Sequence, residues 1–249
     1  MKPWTAITGS SNGIGAALAE IFAKEGHSII LHGRNKKDLE GMHKKITSYN
    51  VDAEVVEGDI RSQKTLENMA SLSREKNFGV LVNNVGYRCP FLTLDNISDE
   101  NIEDMISISL IPALRLSRDA YRHFLKRGGG CIININSIIG LEPRKQRSLY
   151  AAARSAIVGF AESLRLEANE HNIRILGVYP ARVKTKPEFE YGWDVNDAAR
   201  KMYEFYAAGK YNNLILDFSK EPEPKAKKYA VSGEVHVLSI SGKLESFIQ

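Results

Sequence analysis

The chain has 249 residues, 43% hydrophobic and 26% charged, enough to bury one sizeable core within a single α/β domain. Its 34 basic residues barely outnumber 30 acidic ones and both signs are dispersed, which speaks against a nucleic-acid-binding stripe. Cys89 and Cys131 lack metal-ligand spacing, so neither a disulfide framework nor a metal site is expected, and a reducing compartment is. No apolar run approaches the roughly 18 residues of a membrane span, and the first predicted strand begins almost at Met1. A cytoplasmic chain with no signal peptide and no membrane partner is therefore expected.

The stretch Thr5-Ala6-Ile7-Thr8-Gly9-Ser10-Ser11-Asn12-Gly13-Ile14-Gly15 reads as a short buried strand entering a glycine-rich turn and then a helix over about 13–25. Gly9 permits the sharp turn, Gly13 lets backbone approach a pyrophosphate, and Gly15 lets the helix pack closely on the strand. Such a turn aims unpaired N–H groups and the positive helix end at a phosphate, with Ser11, Asn12 and Ile14 alongside. A tight connection with no ligand remains the other reading of three glycines alone.

A second strand over 27–32 ends in Gly33-Arg34-Asn35. In a dinucleotide fold this strand end meets the adenosine ribose, where an acid binds the 2′-hydroxyl and an arginine accepts a 2′-phosphate. No acid stands between this strand end and Asp38, so Arg34 favours the phosphorylated dinucleotide, an ordinary surface charge being the alternative. Leu39, Met42 and Ile46 recur at helical spacing, and a strand over 53–57 leads to Gly58-Asp59-Ile60. Asp59 either accepts from an adenine amino group, beside Ile60, or caps the helix starting near Ser62. A fourth strand over 78–82 closes in Asn83-Asn84-Val85-Gly86, at a strand end where open α/β sheets bind ligands; turn chemistry also favours these residues.

A long helical region over 98–126 contains Pro112, which should free the carbonyl of Ile108 and kink the helix near Ser109. Gly128-Gly129-Gly130 ends it, and a fifth strand over 131–135 delivers Ser137. A polar, basic loop over 142–148 precedes a helix starting near Tyr150, on which Tyr150 and Arg154 share one face. A sixth strand over 173–179 ends in Pro180, and a helix is predicted over 195–208. In the tail, 214–218 and 235–240 both look strand-like, and the pattern does not choose which joins the sheet. The βα alternation points to a doubly wound parallel sheet of about seven strands in one domain, with a C-terminal extension of uncertain structure from about residue 219.

Hydride chemistry on a carbonyl needs a dinucleotide platform, a proton donor and a second hydrogen bond to the substrate oxygen. A tyrosine, with an ordinary pKa near 10, serves as acid–base only when an adjacent cation stabilises its phenolate. Arg154 offers that cation to Tyr150, and Ser137 would hold the substrate oxygen beside it. Arg88, Arg144, Lys145, Arg147, Arg182 and Lys184 fall in loops around the expected mouth, which raises an anionic substrate against the plainer reading of solvated surface charge.

Several of these motifs together resemble the short-chain dehydrogenase/reductase family, a Rossmann-fold family, over most of residues 4–190. Thr8 through Gly15 matches its TGxxxGxG, Asn83 through Gly86 its NNAG with one change, and Ser137 and Tyr150 stand thirteen residues apart, as its catalytic pair commonly does. Pro180-Ala181 through Thr185 is similar to its PG…T segment, with alanine replacing glycine. The resemblance implies an NADP(H)-dependent carbonyl reductase or alcohol dehydrogenase acting on a small molecule, with NAD(H) the other candidate cofactor, and a homodimer or homotetramer. It implies cofactor contacts at Gly9, Ser11, Asn12, Gly13, Ile14, Gly15, Arg34, Asp59, Ile60, Asn83, Asn84, Gly86, Tyr150, Arg154, Pro180 and Thr185, and catalysis by Ser137, Tyr150 and Arg154.

Two departures stand out. The family's YxxxK is Tyr150-Ala151-Ala152-Ala153-Arg154 here, and the asparagine of its kinked helix aligns with Ser109. Arginine keeps the charge but does not readily give up a proton, and serine is shorter than asparagine. Reduced turnover is expected, and a non-catalytic NADP(H)-binding module is the competing reading.

Overall fold

The sheet strands read as unbroken apolar runs because helices cover both faces, so inward and outward residues are alike apolar. The computed structural model describes residues 2–185, 189, 191–217, 235–239 and 244–247. Strands β1 (Thr5–Ile7), β2 (Ile29–Gly33), β3 (Ala53–Glu57), β4 (Val80–Asn83), β5 (Gly130–Ile135) and β6 (Ile173–Pro180) alternate with helices α1 (Gly13–Lys24), α2 (Lys36–Thr47), α3 (Gln63–Glu75), α4 (Asp99–Asp104), α5 (Ile111–Arg127) and α6 (Ser148–Ala168). A separate pair, β7 (Val183–Lys184) and β8 (Trp193–Asp194), precedes α7 (Val195–Ala208), after which β9 (Asn213–Asp217), β10 (Val235–Ser239) and β11 (Leu244–Phe247) return to the main sheet.

Period-2 alternation divides the core. Ile7, Leu31, Val80, Val82 and Ile133 face α1, α2 and α7, where Leu18, Phe22, Ile46 and Met202 pack. Ala6, Ile30, Leu81 and Ile132 face α3, α5 and α6, where Met69, Phe124 and Leu164 pack. The strand order β3-β2-β1-β4-β5-β6-β9-β10-β11 reverses direction between β1 and β4. Loops leaving those two strands therefore diverge to opposite sides and open the crevice at the sheet's carboxyl edge, as in Rossmann-like doubly wound folds.

The tail extends the expected parallel sheet of about seven strands to nine. Both tail segments join the sheet: β9 pairs with β6 in parallel, and β10 continues in parallel on β9. An unanticipated β11 closes the edge antiparallel to β10. Its sequence, Leu-Glu-Ser-Phe, carries too little apolar character to read as a strand alone. Residues 218 and 240, at the ends of the two predicted strands, lie outside the described residues. So do 186–188, 190 and 219–234.

The predicted kink takes the form of a π-helical turn over Met105–Leu110, directly before Pro112 at the start of α5. Proline removes the amide that would bond the Ile108 carbonyl, and the wider turn absorbs the defect. Both cysteines are free and buried. Burial pushes the Cys131 thiol up to about 12, which makes it an inert core group. Among the described residues no helix is long and apolar enough to cross a membrane, and no group of three His, Cys, Asp or Glu could hold a metal ion.

His32 ties β2 to the turn after β1. Its Nδ1 accepts from the Gly9 amide at 3.1 Å, while its backbone N–H donates to Ser10 Oγ at 2.9 Å and its carbonyl accepts from the Ser10 amide at 2.8 Å. The ring must be neutral at Nδ1 to accept, and burial holds its pKa down to about 4 from an ordinary 6.5, only partly offset by the Gly58 carbonyl and Asp59. The unfolded chain therefore binds the extra proton between those values, and stability falls as pH drops from about 6.5 toward 4. The linked loss is on the order of 3 kcal/mol at its limit. Denaturant titrations at pH 7, 6 and 5 should give falling midpoints, and His32→Asn, whose Oδ1 can replace Nδ1 as acceptor, should flatten that dependence.

Candidate active site

The turn between β1 and α1 keeps two glycines in left-handed conformation, Gly9 at φ 64° and Gly13 at φ 56°. Gly15 is required for a different reason: a Cβ there would lie 2.1 Å from the Gly9 carbonyl oxygen and 2.6 Å from Asn84 Nδ2. At Gly13 a Cβ would meet only Thr185, at 3.5 Å, so the backbone is open from above. The α1 N-cap, Asn12, makes no side-chain cap bond, so the first-turn amides keep their donors. Ile14 packs against the core beneath, and Ser11 lies under the end of β2, its Oγ 3.0 Å from where a Gly33 Cβ would sit.

Asn84 clasps this turn to the end of β4. Its Nδ2 donates to the carbonyls of Thr8 at 2.9 Å and Gly9 at 3.1 Å, and Thr8 Oγ1 accepts from the amides of Asn84 and Val85 at 2.9 and 3.1 Å. Asn83 does not join it. Its Nδ2 donates to Ser117 Oγ and Asn134 Oδ1 at 2.8 and 2.9 Å, inside the layer between β5 and α5.

Arg34 projects from the end of β2 as an exposed residue, immediately before the Asn35 side chain that caps α2 through the Asp38 amide. Asp59 settles one of its two open readings: it does not cap α3, whose N-cap is Ser62 without a side-chain bond. Its carboxylate instead accepts from the backbone amide and guanidinium of Arg61, each at 2.8 Å, and Arg61 reaches on to Asp104. The Arg61 hydrogen bond is the main cause holding the Asp59 carboxyl below its usual range, against the effect of burial. Neighbouring Ile60 is buried in the core.

On the other side of the crevice, β5 runs into Ser137, which caps the short 3-10 turn Ile138–Gly140 by accepting from the Ile139 amide at 3.3 Å. Asn136 and Ser155 stitch that segment to α6: Asn136 Nδ2 donates to the Arg154 carbonyl at 3.0 Å, and Ser155 Oγ to the Gly140 carbonyl at 2.9 Å. Ile138 and Ile139 share a core cluster against which Tyr150, in the first turn of α6, packs. The stitching residue Asn136 escaped the sequence reading because a polar residue at a strand end gives no signal of what it will bond.

Arg154 lies one turn further along, only 7% exposed, with its Cζ 5.0 Å from the centre of the Tyr150 ring. Nη1 donates to the Ile135 carbonyl at 3.4 Å, and Nε, also buried, has no partner. Room for the guanidinium comes from glycine: a Cβ on Gly86 would lie 2.1 Å from Nη2, and one on Gly140 would press on the Arg154 backbone. Among the described residues no carboxylate pairs with it. Ser109, in the π turn, spends its hydroxyl on the Tyr87 amide at 2.8 Å, with Met105 Sδ at 3.5 Å.

Pro180 ends β6, and the backbone continues through β7 to Thr185, which returns to the glycine turn and accepts from Arg88 Nη2 at 3.1 Å. The ends of β1, β4, β5 and β6 thus converge on one crevice, with the glycine turn on one side and the Tyr150–Arg154 pair on the other.

A family model described as short chain dehydrogenase matches residues 3–191. The very-long-chain 3-oxoacyl-CoA reductase of Anas platyrhynchos is 32% identical over 189 residues, which cover 74% of this chain and 60% of that protein; the chain thus spans less than two thirds of this relative. Among solved structures, the bulky-bulky ketone specific alcohol dehydrogenase from Comamonas testosteroni is 26% identical with a TM-score of 0.80, covering 86% of this chain and 85% of that one. A short-chain dehydrogenase from Sphingobium yanoikuyae in complex with NADPH is 26% identical with a TM-score of 0.78, covering 86% of each. The family model covers most of the chain and these solved structures share its fold, so the chain belongs to the short-chain dehydrogenase family of oxidoreductases.

Proposed function

We propose that the protein is an NADP(H)-dependent oxidoreductase that interconverts a carbonyl compound and its alcohol. The observation that carries the reading is the buried, acid-free guanidinium of Arg154 against the Tyr150 ring. Burying a charge without a counter-ion is costly, so a site that keeps one reserves it for a ligand or a charge that develops in the reaction. Two relatives fit this reading, one by its name a ketone-specific alcohol dehydrogenase, the other a 3-oxoacyl-CoA reductase.

The cradle suits a dinucleotide on its own terms: uncapped α1 amides, an open face above Gly13, and an unpartnered buried Nε on Arg154. Gly9, Ser11, Asn12, Gly13, Ile14 and Gly15 would hold the pyrophosphate. Arg34 would take a 2′-phosphate, Asp59 and Ile60 the adenine side, and Gly86, Pro180 and Thr185 the nicotinamide side; Asn83 and Asn84 would support rather than touch. The bound dinucleotide supplies or accepts the hydride. Tyr150 gives its hydroxyl proton to the substrate oxygen during reduction and takes one back during oxidation, while Ser137 Oγ fixes that oxygen. Arg154 places a permanent positive charge beside the tyrosine and offers its free N–H groups to the ribose. It does not relay protons, because a guanidinium stays charged.

The Ser109 bond favours the second reading, a weakly active or non-catalytic NADP(H)-binding module. A hydroxyl committed to the Tyr87 amide has little left to position a water for proton supply. We further propose a homo-oligomer through α5 and α6, whose Ile111, Leu125 and Leu166 are exposed, Leu166 by 79%.

Fluorescence titration of the purified protein should show NADPH binding more tightly than NADH. Arg34→Asp should cut NADPH affinity by about 10- to 100-fold, the worth of one or two charge-assisted hydrogen bonds, and leave NADH nearly unaffected. An equal loss of NADH affinity would show that Arg34 does not read the phosphate. Tyr150→Phe should lower kcat on a ketone panel by about 10²- to 10⁴-fold with NADPH affinity retained. Arg154→Lys separates the two readings: lower kcat means a site built around arginine, higher kcat means arginine restrains it, and no turnover by either form favours the binding module.

A further inference from the structure

The segment after β4 and the approach to α6 bring cations to the mouth of the crevice. Arg147 Nη1 donates to the Cys89 carbonyl at 2.7 Å, and its Cζ lies 3.0 Å over the Phe91 ring and 5.5 Å from the Tyr150 ring centre. This guanidinium is thus locked between an aromatic face and a main-chain oxygen, close to the tyrosine that reacts. From the other wall, Arg182 stacks 4.2 Å over Tyr191 and 5.9 Å from Phe189.

Neither arginine has an ion pair among the described residues, although the surface pairs many of its other arginines, including Arg61, Arg118, Arg165 and Arg200. Burial holds the Arg147 guanidinium below its ordinary range; Tyr150 and Cys89 oppose it, and Arg182 adds a smaller push in the same direction as burial. Two like charges near enough for one to act on the other, one of them partly desolvated, repel each other. That repulsion is relieved by an anion between them.

The geometry points to an anionic substrate: a carbonyl compound whose carboxylate or phosphate is held by Arg147, with Arg182 as second cation, while its carbonyl faces Tyr150. This rests on the assignment of Tyr150 as acid–base. Because Arg147 stands so near the tyrosine, the acid group lies within a few bonds of the carbonyl. A planar guanidinium matches either oxyanion through paired N–H donors, so carboxylate and phosphate share the chemistry.

The test uses matched pairs: 2-oxobutanoate and 4-oxopentanoate against their methyl esters for the carboxylate, and dihydroxyacetone phosphate against dihydroxyacetone for the phosphate. Calorimetric binding to the protein with saturating NADP⁺ is measured beside kcat/KM with NADPH. The acids, or the phosphate, should bind and react at least tenfold better than their neutral partners. Arg147→Gln should erase about 10- to 100-fold of that preference, with NADPH affinity unchanged as the check on folding. Arg182→Gln, which leaves the Cys89 contact intact, should erase a smaller part. Equal binding of acid and ester, or a preference untouched by both variants, overturns the anion site; turnover of neutral ketones alone overturns it while leaving the oxidoreductase reading intact. Selective, Arg147-dependent binding of the acids without turnover upholds the anion site and removes the catalytic reading instead.

Discussion

The clasp between Thr8 and Asn84 is the contact on which the crevice depends. It joins the two strands whose connections run in opposite directions, so nothing in the sheet ladder alone would fix how their end loops meet. Four hydrogen bonds do so, two from the Asn84 amide and two into Thr8 Oγ1. They pull β4's end so close that Gly9 and Gly15 have no room for side chains: a Cβ at Gly9 would lie 2.9 Å from Val85, and one at Gly15 2.6 Å from Asn84. The glycines therefore answer to the protein's own packing as much as to a ligand. With the Thr8 and Gly9 carbonyls taken by Asn84, and the Gly9 and Ser10 amides by His32, the amides from Ser11 into the first turn of α1 are the ones that keep their donors.

The far wall is organised by a similar economy of space. An arginine at 154 needs more volume than a lysine, and Gly86 gives that volume, while Gly140 lets the Arg154 backbone come close. The same guanidinium thereby touches the end of β4, the end of β5 and Tyr150. A side chain at Gly86 would displace the cation, so the residue after the Asn83-Asn84 pair and the departure at Arg154 form one structural unit. The cost of burying the charge is offset only in part by one long carbonyl bond and a ring face, and the buried Nε keeps its donor.

How far the sequence speaks differs from feature to feature. Strand and helix identity was legible because the periodicities of 2 and 3.6 survive in both core clusters, and α7 matches its expected span of 195–208. The glycine turn was legible because few residues other than glycine adopt its backbone. What side chains bond to was not. Asn83 and Asn84 are adjacent and chemically identical, yet strand alternation turns one into the β5 layer and the other onto the turn. Asp59 looked like a cap because acids often are, but Arg61, two residues away, competes for it at closer range. The edge strand β11 was hidden because its pairing is decided by β10 rather than by its own composition.

Local bonds of this kind accumulate in the segment from Tyr87 to Phe91. Its amide at Tyr87 is held by Ser109, Arg88 reaches across to Thr185, and the Cys89 carbonyl is held by Arg147. Three elements distant in sequence thus fix one short stretch of chain before any ligand arrives. A site held this way spends little binding energy on ordering its own loop, and more remains for discrimination among substrates. Ser109 is central to that arrangement: in the π turn its short side chain stands close enough to take the Tyr87 amide, where a longer asparagine would have to displace that loop. The departure at Ser109 therefore ties the start of this segment to the π turn, while Arg147 ties it to the approach to α6.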